Sequence, residues 1–324
     1  MLIRSELRAL RADDGPQRTA QAEMHRRIGA WRDSARVRAV DEALACFAAG
    51  ERLADLPALA ALTTYRGARE FVDALVAELV CGLDALPLAH VAFRHTHHAG
   101  RSSLMLSRAG RVTLSLECRT PAFAAGEDPS SCVLSDIESW DVVLAGAMAG
   151  HLIRAREESG SLTFEQDPLV LRRGDTNGRR GSREVLAIEH IASCLTLLRL
   201  QRRAEVATPA RAYDLATGAL IGQASGDVRE SRRALMVALL GRMNRREDAP
   251  VLAGIARDAD EVALRWEAVR ECLGLDTATG FRLLGELAQR TGDPIQPDAA
   301  ALRAQLLEAH PQLAALEERP QCPV

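Results

Sequence analysis

Hydrophobic residues follow a helical period through the first part of the chain. Val37, Val40, Leu44 and Phe47 recur at intervals of three and four residues, which places their side chains on one face of a helix. The pattern continues beyond Gly50 and predicts an N-terminal helical region. This region covers residues 1–85, with helices expected at residues 2–12, 19–50, 53–62 and 65–80.

From residue 86 onward the period of the pattern becomes two. Val91, Phe93, His95 and His97 alternate with other residue types, and similar alternation over 104–116 predicts a meander of at least three strands. Short strands separated by Gly, Pro, Asn and Ser are typical of an antiparallel barrel or sandwich, so we predict a central β-domain. The domain covers residues 86–202, with further strands expected at residues 132–134, 141–144, 151–156, 162–165, 169–171, 184–188 and 194–200.

The apolar pattern lapses after residue 202, which predicts a linker over 203–226 with a short hairpin inside it. Asp227 and Glu230 then have the spacing of a capping box, so a helix is expected to begin there. Helical periodicity returns in the last part of the chain. The predicted C-terminal helical domain covers residues 227–324, with helices expected at residues 228–243, 250–257, 261–273, 278–289 and 298–308.

The C-terminal domain contains a weak internal repeat. Sliding the sequence by about 32 residues places Arg233 on Arg265 and Val237 on Val269. A period of this length with two helices per copy resembles the HEAT or armadillo class of helical repeats over residues 227–310. That resemblance implies a surface for a protein partner. A plain helical bundle is the alternative. Together the three regions predict an α+β multidomain protein.

Composition narrows the class of protein. Hydrophobic residues make up 47% of the 324 residues but aromatic residues only 3%, so the core must use Ala, Leu and Val. All 41 basic residues are arginine, which we interpret as a coding bias of bacterial type. Seven dispersed cysteines without a CxxC pair fit reduced thiols in the cytoplasm. No apolar run approaches 18 residues, so no membrane span is expected.

Four of the eight histidines lie between residues 90 and 98. His95 and His97 are two residues apart on a predicted strand, so both imidazoles share one face and could bind one divalent cation. Further ligands must come from elsewhere in the chain. The candidates are Glu117, His151 and His190.

This region resembles the cupin family over about residues 86–202. The His-x-His pair stands near the start of a β-rich segment, and Gly110 follows a hydrophobic strand. The resemblance implies a β-barrel whose interior binds a small ligand or one divalent metal such as Fe, Mn or Zn. A metal-binding cupin would have a Glu about four residues beyond the second His. Here Arg101 stands in that neighbourhood, and Glu117 could substitute if its side chain lies on the matching face.

A loop rich in glycine and arginine, predicted over residues 173–183, is a candidate anion site. Its glycines would let backbone N–H groups approach an anion, and its guanidinium groups could bind carboxylate or phosphate. It lacks the Lys-Ser/Thr ending of a P-loop, so nucleotide chemistry is not indicated. The candidate ligand-binding residues are Arg173, Arg179, Arg180, Arg183 and Trp140.

Two functions remain open from the sequence. The first is a regulatory or adaptor protein whose cupin-like domain binds a small ligand while the C-terminal helices bind a protein partner. The second is a metal-dependent oxygenase or isomerase that uses the His-x-His pair. Nucleic-acid binding is disfavoured because the net charge is −3 and stacking aromatics are few. Homo-oligomer formation is left open.

Overall fold

The computed structural model describes residues 13–124, 130–158, 161–206 and 208–316. The chain forms two compact units, residues 1–224 and 225–324, and combines α-helices with antiparallel sheets. The predicted α+β class is therefore confirmed. The helix expected at residues 2–12 lies outside the described residues. Within the described ranges, no helix is both long enough and apolar enough to cross a membrane.

The first unit begins with helices that pack on one face of a sheet. The predicted helix over residues 19–50 is interrupted, because Ser34 leaves the helical conformation and its side chain accepts a hydrogen bond from the backbone N–H of Val37. Trp31 packs edge-on against Phe71 with ring centroids 5.4 Å apart. The helices are α1 (Gly15–Arg32), α2 (Ala35–Ala49), a 3-10 turn (Leu53–Asp55), α3 (Pro57–Ala61), α4 (Tyr65–Ala85) and the later α5 (Pro121–Ala124).

The strands of the first unit form two layers. The strands are β1 (His95–His98), β2 (Arg101–Ala109), β3 (Val112–Arg119), β4 (Ser131–Leu134), β5 (Ile137–Ala145), β6 (Ala147–Glu158), β7 (Ser161–Arg172), β8 (Thr176–Arg180), β9 (Glu184–Ile191), β10 (Leu195–Arg203), β11 (Ala210–Asp214) and β12 (Leu220–Ala224). The first sheet has the order β1-β2-β3-β10-β5-β8, and the second layer combines β7-β6-β9 with β12-β11-β4, since β4 contacts β9.

The strand order is that of a double-sheet jelly roll. Strands β3-β10-β5-β8 lie over β4-β9-β6-β7, and every pairing between described strands is antiparallel. Two strands expected at residues 162–165 and 169–171 are one strand, β7. The hairpin expected within residues 203–226 is formed by β11 and β12, and β11 pairs with β4.

Both faces of the first sheet are buried over its central strands. Its outer face carries Leu114, Val142 and Leu200, which share a core with α1–α4. Its inner face carries Val143 and Leu197, which share a core with residues of β6, β7 and β9. Where a sheet is covered on both sides, apolar side chains occur on both of its faces. The alternation of apolar and polar residues therefore does not show which face points into the sandwich.

Gly146 makes the tight connection between β5 and β6. Its φ is +81°, a conformation that residues with a side chain rarely adopt. A Cβ at this position would also lie 1.9 Å from the carbonyl oxygen of Cys194. Only glycine therefore fits at the point where the chain crosses from one layer to the other.

The second unit is helical. Its apolar core includes Val237, Val269, Leu252 and Leu284, so residues related by the 32-residue slide are buried together on different helices. The HEAT-like assignment stays a prediction. The helices are α6 (Val228–Arg242), a 3-10 turn (Arg246–Asp248), α7 (Ala249–Asp258), α8 (Val262–Leu275), α9 (Thr277–Gln289), α10 (Gln296–Ala309) and a final 3-10 segment (Pro311–Leu316).

A carboxylate pair in the second unit predicts a pH-dependent stability. A hydrogen bond from Glu230 raises the pKa of Glu261 to about 7, with smaller contributions from desolvation and from the charge of Glu230. Because this folded-state value exceeds the unfolded one, the stabilisation is complete below pH 4.5 and is lost as pH rises through 7. In the Glu261→Gln variant, the midpoint of thermal unfolding, followed by circular dichroism, is expected to depend less on pH between pH 5 and pH 8 than in the wild type. Glu308→Gln should keep the wild-type pH profile, and parallel profiles for all three proteins would contradict the assignment.

Candidate functional site

The structure places His95 and His97 on the outer face of the first sheet. His95 pairs with Leu104, which pairs with Leu116, and directly opposed residues of an antiparallel sheet share a face. Glu117 is the next residue after Leu116, so its side chain points to the inner face. Both histidines are exposed on the edge strand β1. The prediction that the interior of the sandwich receives these two imidazoles is therefore wrong.

Glu117 is buried in the interior and its oxygens are already occupied. Its Oε1 accepts a hydrogen bond from Arg101 at 2.5 Å, and its Oε2 accepts hydrogen bonds from Arg119 at 3.0 Å and Arg199 at 3.1 Å. The three guanidinium groups around this carboxylate outweigh its single negative charge and repel a further cation. Glu117 thus does not fit the role of a metal ligand.

The other two candidate metal ligands lie on the second layer. His151 on β6 has its Nδ1 2.8 Å from Glu189 Oε1, and His190 on β9 is exposed. Across the part of the chain that the structure describes, no three His, Cys, Asp or Glu side chains are arranged to hold a metal ion. The residues present do not fit the metal that the cupin resemblance implies.

The interior of the sandwich instead contains a network of ion pairs. Asp141 on β5 accepts two hydrogen bonds from Arg199 on β10, at 2.6 and 2.8 Å, and one from Arg179 on β8, at 2.8 Å. Arg199 also donates to Glu117, so one guanidinium group connects both carboxylates. The two carboxylates are each only 1% exposed.

The network keeps both acids ionised. Burial alone would raise the pKa of Asp141, but the charges of Arg199 and Arg179 outweigh burial and hold it well below its usual value. The pKa of Glu117 is lowered in the same way by Arg199 and by its other arginine neighbours. Four guanidinium groups surround two carboxylates, which leaves a formal surplus of two positive charges.

The candidate anion-binding residues have separate positions. The predicted loop is mostly a strand, β8, and it brings Arg179 into the buried network. Arg173 donates to the hydroxyl of Tyr65 on α4 at 2.6 Å. Arg180 is exposed beside Glu138. Trp140 packs in the core between the first sheet and the helices, so it does not line the sandwich interior. The predicted loop therefore does not act as one anion site.

Arg183, the remaining candidate, lines a cleft in the second layer. The cleft has a volume of about 830 Å³, which lies within the range of small-molecule sites. Its apolar side is the small core around Leu134, Leu162 and Tyr213. The polar residues at its rim are Ser135, Asp136, Arg156, Glu157, Ser182, Arg183, Thr208 and Arg211.

Two cationic groups at the rim of the cleft are available to a ligand. Arg156 is paired with Glu165 at 2.7 Å, and Asp136 accepts a hydrogen bond from Thr208 at 2.7 Å. The guanidinium groups of Arg183 and Arg211 make no hydrogen bond or ion pair with any described residue. The cleft can therefore receive an apolar body and bind an anionic group at its rim. Arg211 was missed in the sequence because it lies in the predicted linker.

No protein-family model and no curated protein matches the chain. Solved structures similar to it include a sugar phosphate isomerase of the cupin superfamily from Silicibacter pomeroyi, at 14% identity over 38% of this chain and 77% of that one, with a TM-score of 0.24. A cupin superfamily protein from Desulfitobacterium hafniense matches at 16% identity over 34% and 83%, with a TM-score of 0.23. Hydroxypropylphosphonic acid epoxidase from S. wedmorenis matches at 11% identity over 33% and 54%, with a TM-score of 0.24.

Proposed function

We propose that the protein binds a small ligand in the cleft of its jelly-roll unit, and that the ligand has an apolar body and an anionic end. One observation carries the proposal: Arg183 and Arg211 stand without described partners at the rim of a cleft with an apolar side. Guanidinium groups form charge-assisted, often bidentate hydrogen bonds with carboxylate and phosphate. A ligand of this class would use both parts of the cleft.

The metal-dependent oxygenase or isomerase is the less favoured function. It would need His95 and His97 together with a third ligand in the interior, and these side chains lie on opposite faces of the first sheet from Glu117. Binding in the cleft requires no metal ligand set. The proposal therefore assigns the jelly roll a role in recognition.

The C-terminal helices are proposed to bind a protein partner, as HEAT-like helical pairs do. In support, Leu235, Met236 and Leu239 on α6 are 70%, 63% and 59% exposed. A photoreactive residue placed at position 239 is expected to form a crosslink to another protein in cells, while the same residue at the buried position 264 should not. Equal labelling at both positions, or none, would contradict this role.

The cleft is tested by comparing a carboxylate with its neutral amide. We expect 2-naphthoate to bind the full chain more tightly than 2-naphthamide in calorimetric titrations, because only the carboxylate pairs with the free guanidinium groups. Arg183→Ala and Arg211→Ala should each weaken 2-naphthoate binding by about tenfold or more, since a hydrogen bond to a charged group contributes about 1.5–3 kcal/mol. Binding of 2-naphthamide should change little.

Arg38→Ala provides the matched control, because Arg38 is an exposed arginine on α2 that does not line the cleft. This variant should keep the wild-type preference for the carboxylate. Equal affinity of the two probes for the wild-type chain would contradict the proposal. Equal loss in Arg38→Ala and Arg183→Ala would contradict it as well.

A further inference from the structure

We propose that Arg101 and Arg119 form a second binding site, which takes a small oxyanion at the end of the first sheet opposite the cleft. Arg101 and Arg119 are directly opposed on β2 and β3, so their side chains share the inner face. Arg119 is also opposed to Leu195, at the first residue of β10. The cleft lies beside the other end of that sheet, where Arg203 of β10 pairs with Ile137.

Unused donors mark this site. Arg101 and Arg119 each donate one hydrogen bond to Glu117, one to each of its oxygens. The Nε atoms of both arginines are buried and have no hydrogen-bond partner among the described residues. The side chain of Arg119 is only 6% exposed, so its free N–H is also shielded from bulk water. A buried charged donor without an acceptor is costly, and an oxyanion would supply the missing acceptors.

The charge of the interior points to the same kind of ligand. Asp141 and Glu117 are shared among four guanidinium groups, which leaves two positive charges without a carboxylate. Arg119 contacts only Glu117 among these acids, whereas Arg199 contacts both. Burial and the nearby charge of Arg199 lower the pKa of Arg119 to about 10, as expected for a cation with too little compensating negative charge.

The surroundings set the side from which a ligand approaches. The guanidinium carbon of Arg119 lies 4.7 Å from the centroid of the Phe123 ring, which covers one face of the group. The side chain of Arg101 is 41% exposed, so the site opens on that side. A carboxylate, phosphate or sulfate group can accept hydrogen bonds from two guanidinium groups.

The test is a set of titrations of the full chain with inorganic phosphate, sulfate and acetate at constant ionic strength, followed by calorimetry. Saturable binding of at least one anion is expected in the wild-type chain. Arg101→Gln should weaken it by about tenfold or more, because a charge-assisted hydrogen bond contributes about 1.5–3 kcal/mol. The ranking of the three anions distinguishes a phosphate or sulfate group from a carboxylate.

Three further variants, besides Arg101→Gln, separate this site from other effects. Arg119→Gln should lose binding as Arg101→Gln does, and Arg101→Gln keeps the test decisive if Arg119→Gln fails to fold, because Arg101 is partly exposed. Arg38→Gln should bind as the wild type does. Arg183→Ala should also retain anion binding, so failure of the cleft and failure of this site give different results. Absence of saturable binding, or an unchanged Kd in Arg101→Gln, would overturn the assignment.

Discussion

Replacing Asp141 by asparagine is expected to destabilise the jelly-roll unit by about 3–5 kcal/mol, the range measured when one partner of a buried ion pair is removed. Asp141 accepts three hydrogen bonds from Arg199 and Arg179. Asparagine keeps the shape but loses the charge, and its amide N–H₂ would face donors. The interior already carries surplus positive charge. Once Asp141 is replaced, Glu117 is the remaining carboxylate of the network for both arginines.

Urea unfolding followed by tryptophan fluorescence measures this effect, since Trp140 is adjacent to Asp141 on β5. Asp167→Asn is the matched control, because Asp167 pairs with Arg154 on the surface and is 57% exposed. An exposed pair of this kind contributes about 0–1 kcal/mol. If Asp141→Asn does not fold, adding Arg179→Gln should partly restore folding by removing one unpaired charge. Equal stabilities of Asp141→Asn and Asp167→Asn would contradict the role given to the network.

The second large effect is expected at Arg265 in the helical unit. Its Nε donates to the carbonyl oxygen of Ala256 at 2.7 Å, and its two terminal nitrogens donate to the carboxylate of Asp293 at 2.8 and 2.6 Å. These bonds join α8 to the end of α7 and to the turn before α10. Arg265→Ala removes them, which takes the side-chain donor from the carbonyl oxygen of Ala256 and leaves Asp293 with the backbone N–H of Ile295. A loss of about 3 kcal/mol is therefore expected.

Thermal unfolding followed at 222 nm tests this prediction. Arg270→Ala is the control on the same helix, because Arg270 is 66% exposed and pairs with the neighbouring Glu267. Its expected cost is below about 1 kcal/mol. Arg265→Lys should fall between wild type and Arg265→Ala, since an ammonium group reaches one acceptor but lacks the planar fork. A midpoint in Arg265→Ala as high as that in Arg270→Ala would rule out the proposed role.

Much of the fold was predictable because hydrophobic periodicity reports local structure. The helices of the second unit and the meander β1-β2-β3 follow the expected periods. Strand β8 was missed, since Thr176–Arg180 contains no apolar residue. Its inward side chains are Asn177 and Arg179, and Arg179 pairs with Asp141 on the neighbouring strand. A charged residue that is buried because it pairs with a residue distant in sequence cannot be recognised from the hydrophobicity of its neighbours.

The site could be predicted only in part for related reasons. His95 and His97 do share a face, but that face belongs to the side covered by helices, where Phe93 is also buried. The alternation of residue types along a strand shows which side chains share a face. It does not show which of the two faces points into the interior of the sandwich. The buried network joins Arg199 to residues 58 and 82 positions away. Arg183 was identified from composition, whereas Arg211 reaches the same cleft only through the pairing of β11 with β4.

The most direct test of the ligand-binding cleft is an anomalous diffraction map from crystals of the full chain soaked in 4-iodobenzoate. The iodine is expected beside the apolar side of the cleft, near Leu162 and Tyr213, with the carboxylate within hydrogen-bond distance of Arg183 or Arg211. An empty cleft, or an iodine peak only at the exposed histidines of β1, would contradict the account.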